Sequence, residues 1–134
     1  MKVKTKRGRE VTWVFAAHSV RKDATRPRSK PHVRARNLLS RIYPIDTLYE
    51  EVPLPESRLR LDFLLPRLRL VVEVQGRQHF EYVPFMHKSR SNFLAALKRD
   101  HEKVEFCERN GLTLITWKDT DNDEVWTQVL AEGT

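Results

Sequence analysis

The sequence predicts an α/β fold in which a mixed sheet of four to five strands is flanked by helices. Three strand-like runs follow one another through short connections, which indicate an antiparallel meander. A long helical segment then separates the third run from a fourth, and a helix in that place allows a parallel pair of strands. The predicted order is therefore helix, three strands, helix, strand, helix.

The length and composition exclude several classes of protein. A chain of 134 residues has the size of one domain, and its single cysteine, Cys107, excludes a disulfide framework and a cysteine-built zinc site. No run approaches the ~18 apolar residues of a membrane span, and the N-terminal residues lack the apolar segment of a signal peptide. We therefore expect no membrane association and a location in the cytoplasm, that of a bacterial host if the gene belongs to a phage.

The positive charge is concentrated near the N-terminus. The net charge is +7, and twelve Lys or Arg face only two acids in residues 1–36. Such an excess predicts a polyanionic partner, and nucleic acid is the obvious candidate. We predict a basic arm and loop over residues 1–28, with a mobile segment at 1–10 and a short strand at 11–15, and a single domain over residues 29–134.

The first predicted helix has clear ends. Ser29 is suited to the N-cap, Pro31 to the first turn, and Pro44 to the position where the helix has ended. Four apolar residues between them recur at intervals of three and four, which places them on one buried face. These residues are Ala35, Leu38, Leu39 and Ile42.

The remaining elements are predicted from hydrophobic periodicity. Strands are expected at residues 49–54, 58–65, 69–75 and 112–117. A long helix should occupy residues 91–110, with Gly111 in the left-handed conformation that ends many helices. Asp121 or Asn122 should cap a short final helix.

Three acids interrupt apolar patterns in these elements. Asp62 alternates with apolar residues in the second strand, where Leu59, Leu61, Phe63 and Leu65 are predicted to share the opposite face. Glu73 lies between two valines in a strand that should be buried on both faces, and Asp100 occupies an apolar slot of the long helix, with Phe93, Leu97, Val104 and Cys107. Buried carboxylates need a neutralising cation. Ion pairs of Asp62 with Arg60 or Arg69, and of Asp100 with Lys103, are the structural alternative to a shared cation site.

Carboxylates without clustered cysteines favour Mg²⁺ or Mn²⁺ over zinc. Such a cation, held by Asp62 and Glu73 beside a basic surface, suits phosphodiester hydrolysis. Gln75 is predicted on the face of Glu73, where it could position water or a phosphate. His79, just beyond the strand, is a candidate general acid or base, or else a histidine packed within an aromatic loop.

The acids and their spacing resemble the PD-(D/E)XK nuclease superfamily. Asp62 is followed eleven residues later by Glu73, and Gln75 stands where the superfamily usually has lysine. Residues 58–117, which include LDFLLP, LVVEVQGRQHF and KRDHEKVEFCERNGLTLITW, are similar to the small phage and bacterial nucleases related to very-short-patch repair endonucleases. The resemblance implies a restriction-endonuclease-like core, Mg²⁺-dependent cleavage of DNA with Asp62, Glu73, Gln75, His79 and Asp100 in the site, and a homodimer where both strands are cut.

The related nucleases place a glutamate in the first helix, whereas this helix contains no acid. His32 within it, or Glu51 in the first strand, is the candidate substitute, and Lys103 is a further candidate for the site. Basic residues along the chain are predicted to contact nucleic acid: Lys2, Lys4, Lys6, Arg7, Arg9, Arg28, Lys30, Arg34, Arg77, Lys88 and Arg90.

Two other functions compete with this interpretation. His79, Asn92 and His101 follow the order of an HNH nuclease, but the last two fall within one predicted helix, and the hairpin of that motif is missing. The second alternative is a non-catalytic nucleic-acid-binding protein with a degenerate nuclease fold, in which the acids form structural ion pairs.

Overall fold

The structure is a computed structural model that describes residues 1–20, 29–76 and 90–134. Two short strands, β1 (Lys2–Lys4) and β2 (Glu10–Thr12), form an antiparallel hairpin. The central sheet contains β3 (Tyr49–Pro53), β4 (Arg60–Leu65), β5 (Leu70–Gln75) and β6 (Thr113–Lys118). The helices of the described residues are α1 (Lys30–Ile42), α2 (Arg90–Arg109) and α3 (Asp123–Gly133).

The topology of the central sheet confirms the predicted mixed α/β class. The spatial order is β3-β4-β5-β6, with antiparallel pairing from β3 to β5 and a parallel pair between β5 and β6. The short connections allow only antiparallel pairing, whereas α2 supplies the crossover that a parallel pair requires. The predicted helix, three strands, helix, strand, helix order is correct.

The predicted helix ends are also correct. The Ser29 hydroxyl accepts a hydrogen bond from the backbone N–H of His32 (3.3 Å), and the chain leaves α1 at Tyr43, one residue before proline. Gly111 follows α2 with a φ of +65°, a conformation that glycine adopts without a steric penalty. The Asn122 side chain caps α3 by accepting from the N–H of Val125 (2.9 Å).

Two apolar clusters lie on opposite faces of the central sheet. The α1/α3 cluster joins the buried stripe of α1 to Phe63 and Val72 of the sheet, and the rings of Trp117 and Trp126 stack within it at 4.6 Å. The α2 cluster joins Phe106 and its neighbours on α2 to the other face. Because both faces are covered, β5 is buried along most of its length.

The predicted alternation in β4 is wrong at Asp62. Leu61 and Leu64 lie in the α2 cluster, whereas Phe63 lies in the α1/α3 cluster, so the odd-numbered residues do not share one face. The register pairs residues on either side of Glu51 and Asp62 but omits these two. Glu51 has a φ of +49°, and this left-handed residue interrupts the regular pleat beside Asp62.

The predicted apolar stripe of α2 is buried only in its C-terminal half. Phe106 and Cys107 are buried, whereas Leu97 is 39% exposed and Leu94 is 52% exposed. Among the described residues, the partners in the α2 cluster lie beside the C-terminal turns of the helix. No helix of the described residues is long and apolar enough to cross a lipid bilayer.

The mobile segment predicted at residues 1–10 is wrong, because the hairpin packs against the α2 cluster. Val3 is only 2% exposed, and the backbone N–H of Lys4 donates to Oδ1 of Asn110 at the end of α2 (2.7 Å). After β2 the Trp13 indole N–H donates to the Pro53 carbonyl (2.8 Å). The predicted strand at 11–15 is shorter than expected, and the division of the chain at residue 28 stays a prediction because residues 21–28 lie outside the described residues.

The burial of Val3 predicts that the hairpin contributes to stability. Burying a valine side chain contributes about 1.5–3 kcal/mol, so Val3→Ala should lower the free energy of unfolding by about 1–2 kcal/mol. Denaturant unfolding of the full chain measures this change. Lys2→Ala, at the exposed neighbouring position, is the matched control and should change stability by less than about 0.5 kcal/mol. Equal stabilities of the wild type and Val3→Ala would contradict the packed hairpin.

Candidate functional site

Asp62 and Glu73 stand opposite each other where the regular pairing of β4 and β5 stops. The last regular pair is Phe63 with Val72, so the two acids occupy the next position of the ladder. There the carboxylates bind the backbone instead. Glu73 Oε2 accepts from the N–H of Asp62 (2.8 Å), and Asp62 Oδ2 accepts from the N–H of Val74 (2.9 Å). These two bonds from side chain to backbone link β4 to β5 at this position, and they bring the two carboxylates close together.

Glu73 is a buried acid with one cationic partner in the described residues. It is 4% exposed, and its Oε1 lies 2.7 Å from Nζ of Lys103 on α2. Burial and the nearby charge of Asp62 together raise the pKa of Glu73 from 4.5 to about 8, because they outweigh the attraction of the Lys103 ammonium. The site therefore resists holding two negative charges when Lys103 is its cation.

The charges of the three predicted acids, Asp62, Glu73 and Asp100, each raise the pKa of Lys103. Burial by itself would lower the pKa of this ammonium, but Glu73 raises it by charge and hydrogen bond, and the charges of Asp62 and Asp100 raise it further. The net pKa of Lys103 is raised, so the ammonium stays charged. The ion pair predicted for Lys103 was with Asp100, whereas the observed ion pair is with Glu73. The charge of Asp100 raises the pKa of Lys103.

The predicted grouping of three acids around one metal is not found in the part of the chain that the structure describes. No three His, Cys, Asp or Glu side chains there lie close enough together to hold a metal ion. Asp62 and Glu73 are adjacent, whereas Asp100 is on α2, three residues before Lys103. Cys107 is on the same helix, four residues after Lys103. Burial and the charge of Glu73 raise the pKa of the Cys107 thiol to about 12, so it stays protonated.

A pocket of about 250 Å³ opens beside Asp62, between the start of α1 and the ends of β5 and β6. Its described lining includes Val74 and Gly76 but not Gln75, whose carbonyl accepts from the N–H of Asp119 (3.0 Å). The prediction that Gln75, on the face of Glu73, positions water or a phosphate stays a prediction. The described lining residues are Ser29, Pro31, His32, Asp62, Val74, Gly76 and Asp119.

A second buried ionic cluster adjoins this pocket. The Glu50 carboxylate, 6% exposed, interacts with Nε2 of His32 (2.9 Å) and accepts two hydrogen bonds from Nη2 of Arg36 and one from its Nε. Burial would raise the pKa of Glu50, but the hydrogen bonds from His32 and Arg36 outweigh it and lower the pKa. The His32 ring lies on the ring of Phe63, with 4.5 Å between centroids.

The sequence analysis missed Glu50 and Arg36. His32 and Arg36 are four residues apart and so share a face of α1, which was the available signal. Glu51 was proposed instead, but it is half-buried, has a left-handed backbone, and is not among the described residues that line the pocket. The strand acid beside His32 is Glu50.

The predicted nucleic-acid contacts fall into three groups. Arg28, Arg77 and Lys88, and the proposed acid–base residue His79, lie outside the described residues. Arg34 is used within the fold, because its Nε donates to Asp123 (2.6 Å) and its guanidinium lies 3.6 Å from the centre of the Trp126 ring. The exposed basic side chains are Lys2, Lys4, Lys6, Arg7, Arg9, Lys30 and Arg90, of which Lys6 pairs with Glu102 and Arg9 with Glu56.

Comparison with known proteins finds three uncharacterized viral proteins that are similar to part of the chain. Protein 307L of Invertebrate iridescent virus 6 is 39% identical over 57 residues, which are 42% of this chain and 29% of that protein. Protein 033L of Invertebrate iridescent virus 3 is 32% identical over 47% of this chain and 32% of its own length. Protein 094L of Frog virus 3 is 40% identical over 42% and 37%. The chain thus spans about a third of the length of these relatives, and neither a family model nor a solved structure matches it.

The raised pKa of Glu73 predicts a pH dependence of stability. A carboxyl whose pKa is 4.5 when unfolded and about 8 when folded binds its proton more tightly in the folded protein, so the free energy of unfolding should fall as pH rises between these values. Each pKa unit corresponds to about 1.4 kcal/mol, and the fall should amount to a few kcal/mol. Urea unfolding at a series of pH values measures it.

The control for this dependence is a pair of matched substitutions. Glu73→Gln should remove the fall between pH 4.5 and about 8, because it removes the titrating carboxyl. Glu124→Gln, at an exposed position of α3, should leave the wild-type pH profile unchanged. Parallel profiles of the wild type and Glu73→Gln would contradict the raised pKa.

Proposed function

We propose that the chain is a metal-dependent endonuclease that hydrolyses phosphodiester bonds in DNA. The observation that carries this proposal is the pair of Asp62 and Glu73, which lie together where the regular pairing of β4 and β5 ends, with the ammonium of Lys103 beside Glu73. The resemblance of residues 58–117 to the PD-(D/E)XK nucleases supports it, since that superfamily uses an aspartate and a glutamate in this sequence order.

The chemistry of the two carboxylates fits Mg²⁺ or Mn²⁺. Oxygen ligands suit both ions, and Mg²⁺ binds through one or two carboxylates while keeping several waters. The raised pKa of Glu73 reflects burial and repulsion by Asp62, and added positive charge would relieve both. The bound ion would supply polarisation of a phosphoryl oxygen. Asp62 and Glu73 would hold it, with Asp62 facing the open pocket.

Lys103 offers the positive charge that Gln75 cannot supply. The superfamily usually has a lysine at the position of Gln75, whereas here an ammonium reaches the glutamate from α2. Nearby acids keep it protonated, so it can stabilise negative charge that develops on a phosphoryl group. Gln75 as a water-positioning residue and His79 as an acid or base remain predictions.

The remaining parts of the proposal concern partners. DNA would contact the exposed lysines and arginines of the hairpin and of the start of α2 through its phosphates, and such contacts carry no sequence information by themselves. Two copies of the chain would cut both strands as a homodimer, and the enzyme would act in the cytoplasm of an infected cell. The viral origin of the three similar proteins agrees with a phage-type or virus-type enzyme.

A second candidate function is non-catalytic binding of nucleic acid. One observation favours it: Lys103 lies 2.7 Å from Glu73 and already neutralises it, as a structural ion pair would. In that case the acids stabilise the fold and need no metal, and the basic surface alone acts on DNA.

Cleavage of supercoiled plasmid separates the two functions. The wild type should produce nicked or linear DNA with Mg²⁺ or Mn²⁺ and none with a chelator. Asp62→Asn and Glu73→Gln should each reduce the rate by more than about 100-fold, since loss of even an outer-shell partner costs 10–100-fold. Glu124→Gln should cut at the wild-type rate. A folded wild type that binds plasmid but leaves it intact under every metal condition would rule out the nuclease.

The exposed basic residues of the hairpin predict a salt dependence of binding. Lys2, Lys4 and Arg7 are exposed, whereas Lys6 and Arg9 are engaged in ion pairs with Glu102 and Glu56. Each phosphate contact contributes about 0.9 to the slope of log K against log salt on duplex DNA. Replacing the three exposed residues with alanine should lower the magnitude of this slope by up to about 3, equally on unrelated sequences.

The control for the salt slope uses a basic residue that serves the fold. Arg69→Ala removes a side chain that donates to the Asn110 carbonyl, and it should change the slope by less than one contact. An unchanged slope in the triple variant would show that the hairpin does not contact phosphates.

A further inference from the structure

The Arg36–Glu50–His32 cluster has no part in the metal chemistry proposed above, yet it ends in the same pocket. His32 is 8% exposed and lines the pocket with Asp62. Glu50 and Arg36 lie behind it, away from the described lining. A buried histidine whose ring is fixed on one side and borders a pocket on the other is a candidate for proton transfer.

The geometry determines which nitrogen of His32 carries the proton. Nε2 lies 2.9 Å from the Glu50 carboxylate, which can only accept, so Nε2 is the donor. In the neutral ring, Nδ1 then bears the lone pair. Nδ1 makes no hydrogen bond within residues 1–20, 29–76 and 90–134, and it is thus able to accept one from water.

Neutralising Glu50 does not require His32. Arg36 donates to both carboxylate oxygens of Glu50 at 2.9–3.1 Å, so that charge is already paired. The imidazole plane is fixed by contact with the ring of Phe63, which is the residue after Asp62 in the chain. Among the described residues, the charged groups around the ring are Glu50 and Arg36 behind it and Asp62 and Asp119 in the pocket.

The pocket has room for the water that would be deprotonated. A water molecule takes up about 30 Å³ in the liquid, so a pocket of about 250 Å³ holds several. Asp62, the residue proposed to hold the metal, and His32 both reach this space.

We propose that His32 is a catalytic residue that accepts a proton from the attacking water, and that Glu50 and Arg36 are positioning residues that hold its tautomer. The water O–H bond breaks as the proton passes to Nδ1. The water oxygen then forms the bond to phosphorus with its electron pair, and the bond from phosphorus to the leaving oxygen breaks. The leaving oxygen takes a proton from solvent, and His32 returns its own. This inference rests on the proposed nuclease function.

The test replaces His32 with a residue that keeps the outer hydrogen bond. In His32→Gln the side-chain amide can still donate to Glu50, but the lone pair of Nδ1 is lost. The full chain should retain plasmid binding and its unfolding midpoint, while the cleavage rate falls about 10²–10⁴-fold. His101→Gln, at the exposed histidine of α2, is the matched control.

Proton–nitrogen NMR of the imidazole gives a readout that does not depend on cleavage. The neutral His32 ring should carry its proton on Nε2, and in Glu50→Gln this preference should be lost. Should that variant fail to fold, the wild-type spectrum still decides the tautomer. A proton found on Nδ1 in the wild type would overturn the inference.

The kinetic outcomes separate this inference from the proposed function. If the wild type cuts plasmid and His32→Gln keeps more than about a tenth of its rate, the role of His32 is wrong and the nuclease stands. If the wild type cuts nothing with any metal, the nuclease function fails first, and the role of His32 fails with it.

Discussion

The hydrogen bonds from the N–H groups of Asp62 and Val74 to the carboxylates of Glu73 and Asp62 are the constraint on which this part of the sheet depends. Each carboxylate accepts a hydrogen bond from a backbone N–H of the neighbouring strand, and an N–H that is removed from water without a partner costs about 1–3 kcal/mol. Glu73 is buried, and the Lys103 ammonium on α2 lies 2.7 Å from its Oε1. This ion pair and the packing of Phe106 in the α2 cluster both hold α2 against the sheet.

The same two acids connect the faces of the sheet. Glu73 meets Lys103 on the side of the α2 cluster, whereas Asp62 borders the pocket at the start of α1. The buried carboxylate near each face of the sheet is paired with a different cation. On the α1 side, Arg36 neutralises Glu50, and His32 adds a donor without adding a fixed charge. The charged groups that remain in the described lining of the pocket are then the two acids Asp62 and Asp119.

The elements that could be predicted from the sequence are those with local signals. Caps and hydrophobic periods depend on residues within about one turn, which is why the ends of α1 and the start of α3 were predicted correctly. The hairpin could not be predicted in this way, because one buried valine between exposed lysines is indistinguishable from a charged tail until Asn110 is brought beside it.

The sequence predicted that Asp62 and Glu73 lie together, but it did not predict the Glu50–Arg36 ion pair. Asp62 and Glu73 violate the apolar pattern of their own strands, so each is visible alone. Glu50 is visible only through its contact with Arg36, fourteen residues earlier in the chain, and the strand alternation that would have placed Asp62 fails because Glu51 on the neighbouring strand is left-handed. These interactions depend on tertiary packing, which short-range periodicity does not contain.

The double duty of the two acids has an evolutionary consequence. A descendant that had lost catalysis would still have a use for Asp62 and Glu73, because each carboxylate binds a backbone N–H of the neighbouring strand. Their presence in a relative is therefore expected under either of the two proposed functions. Under the proposed nuclease function, drift would appear first at His32, whose removal leaves Glu50 paired with Arg36, and this position is the one by which active and inactive lineages should be told apart.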